Sequence, residues 1–144
     1  MEDDVRFMKL ALAEAAEAYR RDEVPIGAVV VLNGMVVGRG HNLTETLSDV
    51  TAHAEIQAIT AAEQTLGSKY LDGCTVYVTV EPCVMCAGAM YWSKIARLVY
   101  GAPDEKYGYT QVSPAALHPK TEVASGVLAS ECAALMKEFF KNKR

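Results

Sequence analysis

Residues 26–39 read IGAVVVLNGMVVGR, two mostly apolar runs separated by Asn33-Gly34. Asn-Gly between apolar runs is the strongest short-range signal for a β-hairpin, because both central residues of a type I′ turn need a positive φ. We therefore predict two antiparallel strands, over 26–32 and 35–39, joined by this turn. The hairpin gives the sheet its first two strands.

Helices and further strands are predicted on both sides of the hairpin. Before it, apolar side chains recur at three- and four-residue steps from Val5 to Tyr19, which predicts an amphipathic helix that ends before Val24-Pro25. After it, the pattern predicts helices over 52–66, from Pro82 and over 128–139, and strands over 75–80, 95–100 and 121–125. This order predicts a single domain over residues 1–144, a three-layer α/β/α fold with a mixed five-stranded sheet.

The size and composition of the chain fit one domain. With 144 residues, 51% of them hydrophobic, it is large enough to bury a sizeable core. No apolar run approaches the length of a membrane span, and the first residues lack the apolar stretch of an export signal. We therefore expect a cytoplasmic protein with no membrane partner.

The net charge does not favour a polyanionic partner. It is −4 at pH 7, from 14 basic and 18 acidic side chains, so a nucleic acid would be repelled unless positive groups gather locally. Basic residues do gather in the last eight positions, namely Lys137, Lys141, Lys143 and Arg144. This basic tail fits contact with RNA, and it fits an ordinary solvated helix end as well.

Two short motifs carry the residues of a candidate metal site. Residues 51–55 read TAHAE and residues 82–86 read PCVMC. A Cys-x-x-Cys with a separate His-x-Glu, in a chain expected to be cytoplasmic, predicts metal chemistry rather than disulfides. His53, Cys83 and Cys86 then supply three zinc ligands, the number found in catalytic sites that keep a fourth position for water.

The spacing within each motif indicates the roles. Cys83 and Cys86 are three residues apart on a predicted helical turn, so their sulfurs face one way and the helix N-terminus favours their thiolate forms. Thr51 is expected to cap the other helix, which places His53 and Glu55 in its first turn. These two side chains point in different directions, so Glu55 is not expected to bind the ion. We predict that Glu55 accepts a proton from water whose pKa zinc brings toward ~7, and later returns it to the substrate.

Four stretches of the chain carry motifs of a known family. They are residues 23–28 (EVPIGA), 41–42 (HN), 51–55 (TAHAE) and 80–89 (VEPCVMCAGA). These motifs resemble those of the zinc-dependent cytidine and adenosine deaminase superfamily, and within it the bacterial tRNA adenosine deaminases. The resemblance implies a cytidine-deaminase-like fold and conversion of adenosine to inosine at the wobble position of a tRNA anticodon, by attack of zinc-activated hydroxide on C6. It also implies a homodimer with one Zn2+ per subunit.

The resemblance further implies which residues contact the substrate. Asn42 and the backbone of Ala54 would bind the flipped base, and Asp104, Lys106 and the basic last helix would lie near the anticodon loop. Phe140 lies on the face of that helix next to the predicted core face and could stack on a nucleobase. Two alternatives stay open, because Asn42 could satisfy local backbone in an Asx turn and Phe140 could bury against a partner subunit.

Two other functions stay open as well. Residues 107–111, YGYTQ, depart from the family pattern in the region expected to face RNA, and residues 90–92, MYW, resemble guanine deaminases. A deaminase of a free base or nucleoside is therefore the alternative. A third hypothesis is a zinc-stabilised binding module without turnover. Glu55 argues against that module, since a structural zinc site uses four protein ligands and needs no carboxylate beside them.

Overall fold

Five strands form the central sheet of the computed structural model, which describes residues 2–143. They are β1 (Gly27–Leu32), β2 (Met35–His41), β3 (Thr75–Val80), β4 (Arg97–Ala102) and β5 (Glu122–Ser125). Their order across the sheet is β2-β1-β3-β4-β5. β1 is antiparallel to β2 and β3, whereas β3, β4 and β5 run parallel. The predicted mixed five-stranded sheet is confirmed.

Helices cover both faces of the sheet. They are α1 (Glu2–Arg20), α2 (Thr44–Leu47), α3 (Ala54–Leu66), α4 (Val84–Ser93), α5 (Tyr109–Val112) and α6 (Ala129–Lys141), with a short 3-10 helix over Pro114–Ala116. One hydrophobic cluster joins α3 and α4 to one face, and a second joins α1 and α6 to the other. This is the predicted three-layer α/β/α arrangement. Within residues 2–143, none of these helices combines the length and the apolar character needed to cross a bilayer.

The hairpin forms as predicted. Asn33 and Gly34 have φ values of 52° and 76°, and Leu32 pairs with Met35 across the turn. β1 begins one residue later than predicted, and β2 continues two residues further. The longer course of β2 leaves the next residue, Asn42, beside the start of β1, where its backbone N–H makes a hydrogen bond of 3.2 Å.

β2 packs directly on α3 because two of its residues, Gly38 and Gly40, have no side chain. A Cβ atom on Gly40 would lie 2.5 Å from the carbonyl oxygen of Ala54, and one on Gly38 would overlap the carbonyl oxygen of Ala58. No larger residue fits at either position unless the helix moves. This close contact fixes the first turn of α3 against the end of β2.

Two helices begin two residues later than predicted. The helix predicted from position 52 has His53 as its N-cap. Thr51 does not cap it, because it lies two residues before this N-cap. Its backbone N–H and hydroxyl donate instead to Oδ1 of Asp49, at 2.8 and 2.7 Å. The helix predicted from Pro82 likewise has Cys83 as its N-cap. Two of the three candidate metal ligands, His53 and Cys83, therefore stand at helix starts, whereas Cys86 lies in the first turn of α4.

Candidate active site

α3 and α4 begin at the same place, beyond the carboxyl end of β3. Their N-caps, His53 and Cys83, have extended backbone, with φ and ψ of −72° and 156° and of −75° and 175°. Neither side chain makes a hydrogen bond that caps its own helix, so both are free to turn toward a common ligand. The positive ends of the two helix dipoles also face this place, which favours thiolates there.

The three predicted metal ligands lie close together. Nδ1 of His53 is 3.4 Å from Sγ of Cys86 and 3.6 Å from Sγ of Cys83, and the three atoms lie within 4.8 Å of one another. Tetrahedral zinc, with Zn–N and Zn–S distances of about 2.0 and 2.3 Å, would hold nitrogen and sulfur ~3.6 Å apart. The donor atoms and their spacing therefore fit one zinc ion.

The protonation of the two sulfurs is unequal. A hydrogen bond from the Cys86 thiol, assisted by His53 and opposed by burial, lowers the pKa of Cys83 to about 4. The same bond, together with burial, raises the pKa of Cys86, and the contact with Cys83 raises the pKa of His53. Cys83 is thus the thiolate of the pair. A coordinated divalent cation would deprotonate the second thiol too, because metal-bound thiols lose their protons.

Glu55 lies beside the three ligands. It is the second residue of α3 and is only 4% exposed. Burial raises the pKa of this carboxyl group to about 7, so it can take up and release a proton near neutral pH. The metal-binding group does not include Glu55, but Glu55 lines the same pocket as His53. This geometry suits proton transfer, which stays a prediction.

A pocket of about 190 Å³ opens beside Glu55. The two residues predicted to bind the base, Asn42 and Ala54, both lie on its wall. Oδ1 of Asn42 accepts the backbone N–H of Thr44 at 3.4 Å, so the Asx turn forms, and the amide N–H groups of Asn42 stay available for a ligand. The complete lining of the pocket of about 190 Å³ is Val24, Ile26, Asn42, Thr44, His53, Ala54 and Glu55.

Asp104 and Lys106 lie in a loop beside the metal ligands, outside this pocket. Oδ1 of Asp104 accepts the backbone N–H groups of Lys106 and Tyr107, at 3.1 and 3.0 Å, so this carboxylate shapes its own loop. Lys106 is exposed. Gly108 joins the loop to the site through an isolated β-bridge with Cys83. The structure brings the loop to a metal ligand without placing either predicted side chain in the pocket.

The basic tail lies at the end of α1. Asn142 donates to the hydroxyl of Tyr19 at 3.0 Å, and Lys143 forms an ion pair with Asp22. Two residues after Asp22, Val24 lines the pocket. The end of α6 is therefore on the side of the molecule where the pocket lies.

The residues of the tail differ in how available they are to a partner. Lys137 and Lys141 are exposed, whereas Lys143 is engaged in its ion pair. Phe140 is 46% exposed and packs edge-on against its neighbour in sequence, with a ring-centre distance of 5.2 Å. Arg144 lies outside the described residues. The pocket lining includes none of the described tail residues.

Sequence reasoning missed several residues that build the site. Val24, Ile26 and Thr44 line the pocket, and Glu23 and Glu81 are buried carboxylates near it. The available signal was an acidic residue within an otherwise apolar stretch, as in EVPIGA and VTVEPC. Such a residue, once buried, needs hydrogen-bond donors around it. The pattern does not reveal where those donors come from.

A hydrolytic metal centre with one imidazole, two thiolates and a buried carboxylate beside a pocket is the arrangement of the zinc-dependent deaminases. The family model described as "Cytidine and deoxycytidylate deaminase zinc-binding region" matches residues 1–102. The chain belongs to this family, and it is an enzyme of the deaminase class with zinc as its cofactor.

The chain is similar over its whole length to proteins named tRNA-specific adenosine deaminase. The one from Agrobacterium fabrum is 48% identical over 149 residues, covering 100% of this chain and 98% of the relative. The one from Bacillus subtilis is 43% identical over 149 residues, covering 100% and 92%. The resemblance carried by the motifs is confirmed.

Solved structures share the fold. One, from structural studies of A-to-I editing by tRNA:A34 deaminases at the wobble position, has a TM-score of 0.84 and 48% identity, covering 90% of this chain and 98% of that one. A guanine deaminase from Nitrosomonas europaea has a TM-score of 0.83 and 26% identity, covering 94% and 83%. The expected cytidine-deaminase-like fold is confirmed.

Removal of a ligand is expected to empty the metal site. Because even the outer partners of metal ligands change affinity by about 10–100-fold, His53→Ala and Cys86→Ser should weaken zinc binding at least ~100-fold. Elemental analysis should find about one zinc per chain in the wild type and far less in both variants. Cys74→Ala, at a buried thiol outside the site, should keep its zinc. Full zinc content in both ligand variants would contradict the assignment.

Proposed function

We propose that the protein deaminates adenosine to inosine at the wobble position of a tRNA anticodon. The observation that carries the proposal is the convergence of three zinc ligands and the buried Glu55 at one pocket. Relatives named for this activity are 43% and 48% identical over the whole chain. A tRNA substrate also leads us to infer that the protein works in the cytoplasm.

Deamination replaces the amino group at C6 by oxygen from water and releases ammonia. His53, Cys83 and Cys86 would hold the zinc ion, which would lower the pKa of a water molecule to about 7 and so supply the nucleophile. Glu55 takes up the proton that this water gives up, since its own pKa is about 7. Glu55 then donates this proton to ring atom N1. It moves the second proton of the water to the amino group, which leaves as ammonia.

The pocket wall orients the base. The backbone N–H of Ala54, the first residue of α3, is one of the donors that a helix leaves without an intrahelical partner. Together with the amide of Asn42, it offers hydrogen bonds to acceptors of the nucleoside. Val24 and Ile26 give the ring an apolar surface. We infer that the base enters with C6 toward Glu55.

A single-stranded loop suits this pocket better than a duplex. Bases in an anticodon loop are unpaired, so one of them can turn into a pocket at low cost. Shape and stacking then supply the favourable binding free energy that a net charge of −4 does not. This reconciles an acidic protein with an RNA substrate.

Deamination of a free base is the second candidate. The TM-score to a guanine deaminase, 0.83, is nearly as high as that to a tRNA deaminase, 0.84. The shared fold therefore supports either substrate. Sequence identity favours RNA, since proteins named tRNA-specific adenosine deaminase are 48% and 43% identical over the whole chain. Guanine deaminases are 26% identical over 94% of the chain and 38% identical over 76% of it.

We expect zinc-loaded protein to convert an anticodon stem-loop with a wobble adenosine to its inosine form, and to leave guanine, cytosine, adenosine and cytidine unreacted. Inosine is measured by nuclease digestion and mass spectrometry, and ammonia release reports on the free compounds. Glu55→Gln should lower kcat by at least ~10²-fold, because general acid–base catalysis contributes about 10²–10⁴-fold. Its zinc content should stay unchanged.

The matched control is Glu122→Gln, an exposed position on β5, which should keep full activity. Rapid ammonia release from guanine together with an inert stem-loop would reverse the order of the two candidates. Full turnover by Glu55→Gln would refute the proton-transfer role.

We also propose that two copies form a homodimer through the groove between α3 and α4. Trp92 on α4 is 74% exposed. With Ile56 and Ala89 it lines a groove of about 310 Å³. A large exposed indole beside apolar neighbours is typical of a protein contact. A second copy is the occupant that the family resemblance implies.

Sedimentation equilibrium should give a particle of twice the chain mass of 15.6 kDa. Trp92→Glu should shift it to the monomer, because the partner groove would have to bury an unpaired charge. Met35→Glu, at a 69% exposed position in the hairpin outside the groove, is the control and should stay dimeric. A wild-type monomer at micromolar concentration would contradict the proposed dimer.

We propose that the basic tail contacts the phosphates of the anticodon loop through Lys137 and Lys141, which are exposed. Phe140, 46% exposed, offers a stacking surface for a loop base. Lys106 would contact RNA from the loop beside Cys83, and Asp104 would act by shaping that loop. Lys143 should contribute less, because Asp22 already pairs with it.

The salt dependence of binding reports on these lysines. For single-stranded RNA each phosphate contact adds about 0.7 to the slope of log K against log salt. Replacing Lys137 and Lys141 by Gln removes two such contacts and should therefore reduce the slope for a stem-loop by about 1.4, measured by fluorescence anisotropy. The same replacement at Lys9 and Lys120, exposed elsewhere, should leave the slope unchanged. An equal slope in both double variants would exclude the tail.

A further inference from the structure

Two buried carboxylates outside the catalytic group lie near the site. Glu23 is 0% exposed and Glu81 is 5% exposed. Neither belongs to the metal-binding atoms or to the pocket lining. A carboxylate is unfavourable in a protein interior unless donors surround it. The hydrogen-bond donors around Glu23 and Glu81 therefore indicate which segment each carboxylate holds in place.

Glu23 holds α2. Its Oε1 atom accepts the backbone N–H of Glu45 at 3.1 Å, and its Oε2 atom accepts the backbone N–H and the hydroxyl of Thr46, both at 2.6 Å. Burial alone would raise the pKa of Glu23, but the bonds from Thr46 and Glu45 outweigh it and lower the pKa below its ordinary value. A four-residue helix has no stability of its own, so α2 depends on this contact.

Glu81 holds the loop after β4 in the same way. Its Oε1 atom accepts the backbone N–H of Asp104 at 3.1 Å, and its Oε2 atom accepts the backbone N–H and the hydroxyl of Thr110, at 3.1 and 2.6 Å. A Cβ atom on Gly108 would overlap the Glu81 carboxylate, so this glycine lets the loop close over it. Each carboxylate thus binds two backbone N–H groups and one threonine hydroxyl.

The two held segments border the site in different places. α2 contains Thr44, and Glu23 is followed by Val24, both of which line the pocket. The loop over 103–110, which includes the first two residues of α5, meets the ligand Cys83 through its isolated β-bridge. One segment therefore borders the base pocket, and the other borders the metal ligands.

We propose that Glu23 and Glu81 are positioning residues that hold α2 and the loop over 103–110 as fixed walls of the substrate entrance. This rests on the proposed function, since nucleotides that flank a target base must pass over these walls. Because both segments are already ordered, RNA binding does not have to offset the entropy cost of ordering them. Loss of either contact raises KM for RNA and leaves kcat nearly unchanged, because Glu55 and the metal ligands keep their places.

Substitution of the two threonines that donate to Glu23 and Glu81 tests the proposal with little disturbance of the fold. Thr46 and Thr110 are exposed, so Thr46→Val and Thr110→Val each remove one hydroxyl donor without touching the core. Each should raise KM for the anticodon stem-loop about three- to tenfold, with kcat within about twofold and zinc content unchanged. Thr46→Ser and Thr110→Ser keep the hydroxyl and should behave as wild type. Thr65→Val, exposed near the end of α3, is the matched control.

Amide hydrogen exchange of the zinc-loaded protein without substrate gives a readout that does not depend on the substrate. Thr46→Val should speed exchange over residues 45–46 and not over 104–110, and Thr110→Val should do the reverse. If the wild type leaves the stem-loop unreacted, the proposed function fails. The exchange pattern then still decides whether Glu23 and Glu81 hold these two segments, because it requires no substrate.

Unchanged exchange in both valine variants would overturn the proposal, and so would faster exchange with an unchanged KM. A fall in kcat at constant KM would overturn it as well, since that pattern belongs to a group that acts on the chemistry. The same defect in the serine and valine variants would show that the hydroxyl bond is not the cause.

Discussion

The meeting of two helix N-termini beyond β3 is the constraint on which the site depends. Because His53 and Cys83 are N-caps, the backbone places these ligands directly. Gly40 lets α3 lie against β2, and α4 is the crossover between the parallel strands β3 and β4. A shift of either helix by one turn, about 5.4 Å, would separate the imidazole from the sulfurs by more than a single ion can span. The sheet and its packing therefore determine whether zinc binds.

The same constraint leaves Glu55 outside the three-ligand group and suits it to the proposed proton transfer. Glu55 follows the N-cap by two residues and is buried in the first turn of α3. The imidazole of His53 faces the sulfurs of Cys83 and Cys86 instead. Burial keeps the pKa of Glu55 near 7, which makes both protonation states accessible at neutral pH. A carboxylate bound to the metal would hold a low pKa and occupy the open position. Burial without an ion partner costs folding free energy, and uptake of a proton limits that cost.

Local properties of the chain were predictable, and interactions between distant segments were not. The turn at Asn33-Gly34 follows from residues that tolerate positive φ, and the three-ligand site follows from spacings within short motifs. The helix predicted from position 52 begins two residues later, because Thr51 is held in a turn by its bonds to Asp49, a contact that no periodicity reveals. The contact of Glu23 with Thr46 joins positions 23 residues apart. Only the folded chain brings those donors to that carboxylate.

The proposed choice of an RNA substrate depends on the rim of the site rather than on the fold. The fold is shared almost equally with a tRNA deaminase and with a guanine deaminase, at TM-scores of 0.84 and 0.83, so the fold does not separate them. A base within RNA brings neighbours on both sides, and these must lie outside a pocket of about 190 Å³. The surfaces next to it are α2 and the loop over 103–110. A free base needs neither surface, whereas a nucleotide loop gains affinity from every part of the rim that is already in place.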